Sequence, residues 1–117
     1  MRALLIVTAC AAVTVGTTAL AQGTAQRLQN PMVQGQPIDH CADIDGEDDC
    51  AATGQQRAAL KACVANGFTA RAGFHWRPAT GTAMHYITEY DMHAGEIGGR
   101  WTRQPTAGTF DWIECKK

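Results

Sequence analysis

The spacing of hydrophobic and polar positions changes near residue 67. Within residues 50–67 (CAATGQQRAALKACVANG), Leu60, Cys63 and Val64 fall at i, i+3 and i+4, which places them on one face of a helix. Gly67 suits the left-handed position that commonly follows a helix. The pattern predicts one helix in residues 50–67, with Cys63 on its buried face.

After residue 67, short runs of aromatic and β-branched residues alternate with turns rich in Gly and Pro. These runs predict four strands, at residues 68–77, 83–91, 97–102 and 109–115. The turns recur at the interval expected of an antiparallel meander. The expected fold class is therefore α+β, with one α-helix packed on a roughly four-stranded antiparallel sheet.

The first 21 residues have the three parts of a secretory signal peptide. Arg2 supplies the positive charge, residues 3–15 are apolar, and Ala19-Leu20-Ala21 is a cleavage motif of small residues. The apolar run is too short to span a bilayer comfortably, so no membrane anchor is expected after cleavage. We expect residues 1–21 to be removed together with Cys10.

Residues 22–38 are rich in Gln, Gly and Pro and show no hydrophobic period. This composition predicts a flexible leader. The remaining residues, 39–117, are then expected to form a single disulfide-stabilised α+β domain.

Four cysteines follow the predicted signal peptide: Cys41, Cys50, Cys63 and Cys115. An even number of cysteines in an exported chain predicts two disulfides and a periplasmic or secreted location. Four cysteines allow three connectivities, and sequence alone does not choose among them. The preferred pairing is Cys41–Cys50, which closes a short acidic loop, with Cys63–Cys115, which joins the helix to the last strand.

Residues 39–49 (DHCADIDGEDD) contain six carboxylates and no basic residue. One interpretation is a calcium loop, because hard oxygen ligands suit Ca²⁺. Its candidate ligands are Asp43, Asp45, Glu47, Asp48 and Asp49. The spacing does not fit an EF-hand, and a solvated acidic loop is the preferred interpretation. The histidines lack paired metal-ligand spacing, and no cofactor is expected.

The stretch His85-Tyr86-Ile87-Thr88-Glu89-Tyr90, followed by Arg100 and Arg103, resembles the small secreted microbial ribonucleases. That resemblance implies Glu89 as general base and the two arginines as a phosphate clamp. The histidine of that family follows its arginines, whereas no histidine follows Arg103 here. His85 or His75 would have to supply the acid. The chain also lacks serine, which excludes a serine nucleophile.

Alternation along the last strand places Phe110 and Trp112 on the side opposite Cys115, away from the helix. The alternative is that the sheet curls and buries these rings itself, or that a bulged end residue swaps the sides. Exposed aromatic residues beside arginine are typical of contact surfaces. The leading hypothesis is an exported binding or inhibitor-like module rather than an enzyme. Its candidate binding residues are Trp76, Tyr86, Arg100, Trp101 and Trp112.

The formal net charge of −1 argues against nucleic acid as a partner, because nucleic-acid binding favours a clear excess of basic residues. The expected partner is a protein or a glycan in the cell envelope or outside the cell. The alternatives are the ribonuclease-like hydrolase and a structural cell-envelope protein.

Overall fold

The computed structural model describes residues 25–91 and 96–117. The predicted signal peptide, with Cys10, lies outside the described residues. Within the two ranges the chain forms one helix and eight strands. In chain order they are β1 (Gln26–Gln29), β2 (Met32–Val33), β3 (Gln36–Ile44), β4 (Glu47–Asp49), α1 (Ala52–Ala65), β5 (Ala70–Pro78), β6 (Thr82–Asp91), β7 (Glu96–Pro105) and β8 (Gly108–Lys116).

The sheet is built around β8 and β3. β8 pairs antiparallel with both β5 and β1, so these two strands lie on its opposite edges. β3 meets β8 at the pair Asp39–Thr109 and runs parallel to β6. β6 and β7 form an antiparallel hairpin, and the short strands β2 and β4 pair with β3.

The predicted fold class is wrong. The described residues are mostly sheet, with eight strands instead of four, and the last four strands do not form a meander because β5 pairs with β8 and β6 pairs with β3. The extra strands all come from residues 26–49. The sequences of β1 and β4 are QRLQ and EDD, which show no hydrophobic period. Backbone hydrogen bonds hold these strands in the sheet, and such bonds leave no pattern in the sequence.

Residues 26–38, which were expected to belong to a leader, contribute β1, β2 and the start of β3, and the acidic segment forms the β3–β4 hairpin. The hairpin β2–β3 turns at Gln34-Gly35, with φ of 52° and 76°, and β3–β4 turns at Asp45-Gly46, with φ of 53° and 86°. Two successive residues with positive φ are typical of the type I′ turns that fit the twist of a hairpin. The Asp-Gly pair was the available sequence sign of the second hairpin.

The helix α1 is confirmed, but its buried face is different from the predicted one. Gly54, Ala58, Ala59, Ala62 and Cys63 are buried, whereas Val64 is 50% exposed. Small residues on the buried face allow the helix to approach the sheet closely. The predicted apolar stripe was therefore correct only at Cys63.

Gly54 is required by a close backbone approach at the start of α1. A Cβ atom at this position would overlap the backbone carbonyl of Asp49. Gly→Ala in a helix normally stabilises by up to about 1 kcal/mol, but here we expect Gly54→Ala to destabilise by about 1–3 kcal/mol because the backbone must shift. Urea unfolding measures the change, with the exposed helix substitution Gln56→Ala as control. A raised unfolding midpoint for Gly54→Ala would contradict the expectation.

Both preferred disulfides, Cys41–Cys50 and Cys63–Cys115, are confirmed. The second joins α1 to β8 across the buried core, and both of its cysteines are fully buried. The core around this bond includes Ile38, Ile113 and Phe110.

The prediction that Phe110 and Trp112 share one face of the last strand is wrong. A bulge between the pairs His75–Trp112 and Trp76–Phe110 leaves Asp111 without a partner residue on β5. The extra residue reverses the alternation of sides. Phe110 is consequently 2% exposed in the core beneath α1, whereas Trp112 stays on the opposite face, half-buried.

Candidate functional site

A buried polar cluster lies where β3, β6 and the β7–β8 turn meet. Asp39 accepts hydrogen bonds from His85 Nδ1 at 2.9 Å and from the backbone N–H of Cys41 at 3.0 Å. The Thr106 hydroxyl lies 2.9 Å from the same carboxylate. Asp39 and His85 are 4% and 2% exposed. The cluster therefore stabilises the fold, because its buried polar groups satisfy one another's hydrogen bonds.

The carboxylate of Asp39 is kept ionised by these contacts. Burial by itself raises the pKa of Asp39, but the hydrogen bonds from His85, from the Cys41 N–H and from Thr106, together with the electrostatic interaction with His85, lower the pKa by more than burial raises it. The net result is a pKa below the ordinary value of 3.8. His85 Nδ1 is consequently the donor, and its Nε2 lies 3.5 Å from the exposed carboxylate of Asp48.

The calcium candidates do not converge. Asp45 lies in the turn, while Glu47 and Asp48 are successive residues of β4 and so point to opposite faces. In residues 25–91 and 96–117, one group of three or more potential metal ligands has its donor atoms within 4.8 Å of one another, namely His40, Cys41 and Cys50. The two sulfurs of that group are joined as a disulfide.

The residues of the hydrolase hypothesis are also separated. Glu89 and Arg100 form an exposed ion pair, with 2.8 Å between Oε1 and Nε. His85 lies on the same face of β6 as Glu89 but four residues earlier, which is about 13 Å along a strand. His85 is also buried. Arg103 is opposite Met84, a core residue, and so belongs to the other face of the sheet. The four side chains do not form the cluster that acid–base hydrolysis requires.

The five predicted binding residues are divided among separate places. Tyr86 and Trp101 pack edge to face on the helix side, with ring centroids 5.3 Å apart. Burial raises the pKa of Tyr86, whose hydroxyl donates to the Gly98 carbonyl. Trp76 stacks on His40, with ring centroids 4.1 Å apart. Arg100 is on the outer face of the β6–β7 hairpin, and Trp112 is on β8.

Trp112 lies in a row of side chains across β1, β8 and β5, which we call the Trp112 face; its members are Arg27, His75, Arg77, Asp111, Trp112 and Glu114. The Arg27 guanidinium carbon lies 3.8 Å from the centroid of the Trp112 ring. His75, on the opposite neighbouring strand, is nearly parallel to the same ring, at 6.3 Å between centroids.

Ion pairs hold the Trp112 face in place. Arg27 contacts Glu114 at 2.7 Å, while His75 and Arg77 lie 3.5 Å and 3.6 Å from the carboxylate of Asp111. Arg27 was not among the predicted site residues because it lies in the segment predicted to be a flexible leader. His75 was considered only as a metal ligand or a hydrolase acid, and its distance in sequence from Trp112 gave no sign of this pairing.

Comparison with models of protein families, with curated proteins and with solved structures finds no match to this chain. Among the residues that the structure describes, no helix has the length and apolar character needed to cross a membrane. The two disulfides fit an extracellular environment, where such bonds form and persist. The function must therefore follow from the contacts and charges of the chain itself.

Proposed function

We propose that this chain is an exported binding module, periplasmic or secreted, that holds an acidic protein surface against its Trp112 face. The observation that carries the proposal is the Trp112 ring covered by Arg27 from one neighbouring strand and flanked by His75 from the other. Tryptophan and arginine are the residues most enriched among those that dominate the energy of protein interfaces.

The electrostatic character of the face supports an acidic partner. The side chains of Arg27, Arg77 and His75 are 46%, 51% and 59% exposed, whereas Glu114 and Asp111 are 31% and 41% exposed. A larger fraction of each basic side chain is thus exposed than of the carboxylate that pairs with it. The two guanidinium groups are therefore more accessible to an approaching carboxylate, although the whole chain has a net charge of −1. Complementary charge of this kind steers association and fixes orientation.

The geometry also favours a protein over a glycan. Sugars bind tryptophan by stacking on an open ring face, and here the Arg27 guanidinium lies over one face of Trp112 while the His75 ring lies nearly parallel at 6.3 Å between centroids. The exposed part of Trp112 is thus set among charged groups, which suits a surface that offers carboxylates around a small apolar patch. The strand that carries Trp112 is fixed to α1 through Cys115, so little ordering of the face is needed on binding.

The matched variants Arg27→Ala and Arg100→Ala test the proposal. Each removes an arginine from an exposed arginine–glutamate ion pair, but Arg100 pairs with Glu89 away from Trp112. Immobilised mature protein, with its disulfides intact, is incubated with the exported protein fraction of its source, and captured proteins are quantified by mass spectrometry. A partner must then be purified and titrated against each variant.

We expect Arg27→Ala and Trp112→Ala to weaken binding of that partner about 30-fold or more, which corresponds to about 2 kcal/mol. Arg100→Ala should change it less than twofold, and added salt should weaken the wild-type complex. Equal losses for Arg27→Ala and Arg100→Ala would contradict the proposal. So would a partner retained by Trp112→Ala, or specific binding to a glycan array that Trp112→Ala abolishes.

A further inference from the structure

The Cys41–Cys50 disulfide lies at the surface of the protein, in contrast to Cys63–Cys115. Cys50 is an exposed residue two positions before the start of α1, whereas Cys41 is 5% exposed and both cysteines of the other bond are fully buried. Exposed disulfides exchange readily with external thiols, whereas buried structural disulfides resist reduction. The protein therefore has one structural bond and one bond that a thiol in solution can reach at its Cys50 end.

Cys50 forms part of the wall of a surface cavity of about 730 Å³ beside the β3–β4 turn and the start of α1. The same wall contains four carboxylates, those of Asp45, Glu47, Asp48 and Asp49, and among the described residues no basic side chain lines it. Asp48 Oδ2 lies 3.9 Å from Cys50 Sγ. Negative charge thus lies directly beside the sulfur that an external thiol would attack.

This negative charge determines which thiols react fastest. Within residues 25–91 and 96–117, Asp48 is the one member of the four with an ion-pair contact, at 3.5 Å from His85 Nε2. Disulfide exchange proceeds by attack of a thiolate, which is itself an anion, and neighbouring carboxylates repel it. A thiol that carries its own positive group offsets this repulsion, whereas a neutral or acidic thiol does not.

We propose that Cys41–Cys50 is a site of thiol–disulfide exchange that reacts selectively with positively charged thiols, such as a cysteine flanked by basic residues. The substrate thiolate attacks Cys50 Sγ and forms a mixed disulfide. The bond between the two protein sulfurs breaks, and Cys41 leaves as a thiolate that takes a proton from water. A second thiol of the same substrate then displaces Cys50. The substrate is thereby oxidised by two electrons to a disulfide, and Cys41 and Cys50 are reduced to thiols.

The fold keeps the two cysteines together during the exchange. Their Cα atoms are 4.2 Å apart, and they directly follow the strand pair Ala42–Asp49. The backbone N–H of Cys41 donates to the buried carboxylate of Asp39, and Cys63–Cys115 still joins α1 to β8. Cys41 therefore stays beside the mixed disulfide and is positioned to displace the bound thiol, so the first step is reversible without unfolding.

The first measurement identifies the sulfur that reacts. The folded mature protein is incubated briefly with cysteamine and quenched with acid. Free thiols are then alkylated, and the modified peptides are identified by mass spectrometry. We expect cysteamine on Cys50 and the alkyl group on Cys41, with the buried disulfide reacting roughly 100-fold more slowly. Equal amounts of cysteamine on Cys41 and Cys50, equal rates for the two disulfides, or no reaction of the folded protein would overturn the proposal.

The second measurement compares small thiols of different charge. The thiolates of cysteamine, 2-mercaptoethanol and 3-mercaptopropionate have net charges of zero, −1 and −2. Each rate is divided by the rate of the same thiol with a neutral peptide disulfide of the same loop length, which removes differences in intrinsic reactivity. We expect the normalised rate to fall in that order, by about tenfold from first to last, and added salt to reduce the difference. Equal normalised rates would disprove the selectivity.

Matched variants test whether the cavity carboxylates cause the selectivity. Asp45→Asn combined with Glu47→Gln removes two of the four charges; Asn tolerates the positive φ of position 45, and Glu47 is exposed. We expect this double variant to lose most of the selectivity and Glu47→Gln alone to lose part of it. Glu89→Gln should reduce it less than Glu47→Gln, because Glu89 does not line the cavity and already contacts Arg100 at 2.8 Å.

The single variants decide the matter if circular dichroism shows that the double variant is misfolded. Unchanged selectivity in Glu47→Gln would overturn the role of the carboxylates. Equal losses for Glu47→Gln and Glu89→Gln would also overturn it, because the selectivity would then follow the net charge of the protein rather than the cavity beside Cys50.

Discussion

Replacing Cys63 and Cys115 together by alanine is expected to lower the free energy of unfolding by about 4 kcal/mol. The bond closes a segment with a sequence separation of 52 residues, and the loop-entropy relation gives about that value for a loop of this length. Both side chains are fully buried, so alanine also leaves unfilled space between α1 and β8. Small domains are stable by roughly 5–15 kcal/mol in total, so the loss is a large share.

The corresponding double variant of Cys41 and Cys50 provides the control. The Cys41–Cys50 bond has a sequence separation of 9 residues, for which the same relation gives a loss of about 2.5 kcal/mol. Urea unfolding of both double variants under identical conditions measures the difference. An equal or larger loss for the Cys41/Cys50 pair would mean that the bond between helix and sheet is not the main covalent constraint of the fold.

Asp39→Ala is expected to destabilise the protein by about 3 kcal/mol or more. The substitution leaves the buried His85 without its acceptor and removes the partner of the Cys41 backbone N–H. Removing one partner of a buried hydrogen bond is costly because the remaining polar group has no water to replace that partner. Glu47→Ala, which removes an exposed carboxylate from the neighbouring hairpin, should change the stability by less than about 0.5 kcal/mol.

The pKa of Asp39 gives this prediction a pH signature. Because the pKa is lower in the folded protein than its ordinary value of 3.8, the ionised carboxylate contributes stability at all pH values above 3.8. That contribution decreases as the pH falls below 3.8 towards the folded pKa. Asp39→Asn should therefore lose less stability than the wild type over this acidic range. Parallel pH dependence of the two proteins would contradict the assignment of Asp39 as ionised in the fold.

Sequence reasoning found the disulfides because the chemistry of cysteine leaves few alternatives. Four cysteines after an export signal predict two bonds, and among the three possible connectivities the preferred one joined Cys63 on the helix to Cys115 on the last strand. Both bonds are as expected. The positions of the helix and of the last four strands were also predicted within a few residues, because turn residues separate these elements clearly.

The candidate site was largely beyond prediction from the sequence. Trp112 was identified, but Arg27 and His75 contact it only because β1 and β5 pair with the two edges of β8. Strand order is decided by long-range backbone pairing, which side-chain patterns do not encode. Likewise, the contact between Asp39 and His85 depends on β3 lying parallel beside β6, and nothing in either segment indicates this neighbour.

The sequence by itself determined that four cysteines are present to form two disulfides, where the helix lies, and that the chain is typical of exported proteins. These properties depend on residue chemistry and local spacing. Only the tertiary structure decided that residues 26–49 join the sheet, and that one bulged residue, Asp111, turns Phe110 inward and leaves Trp112 outside. The reason is physical: one extra residue in a strand reverses every side chain beyond it, and its position is set by the partner strand rather than by local sequence.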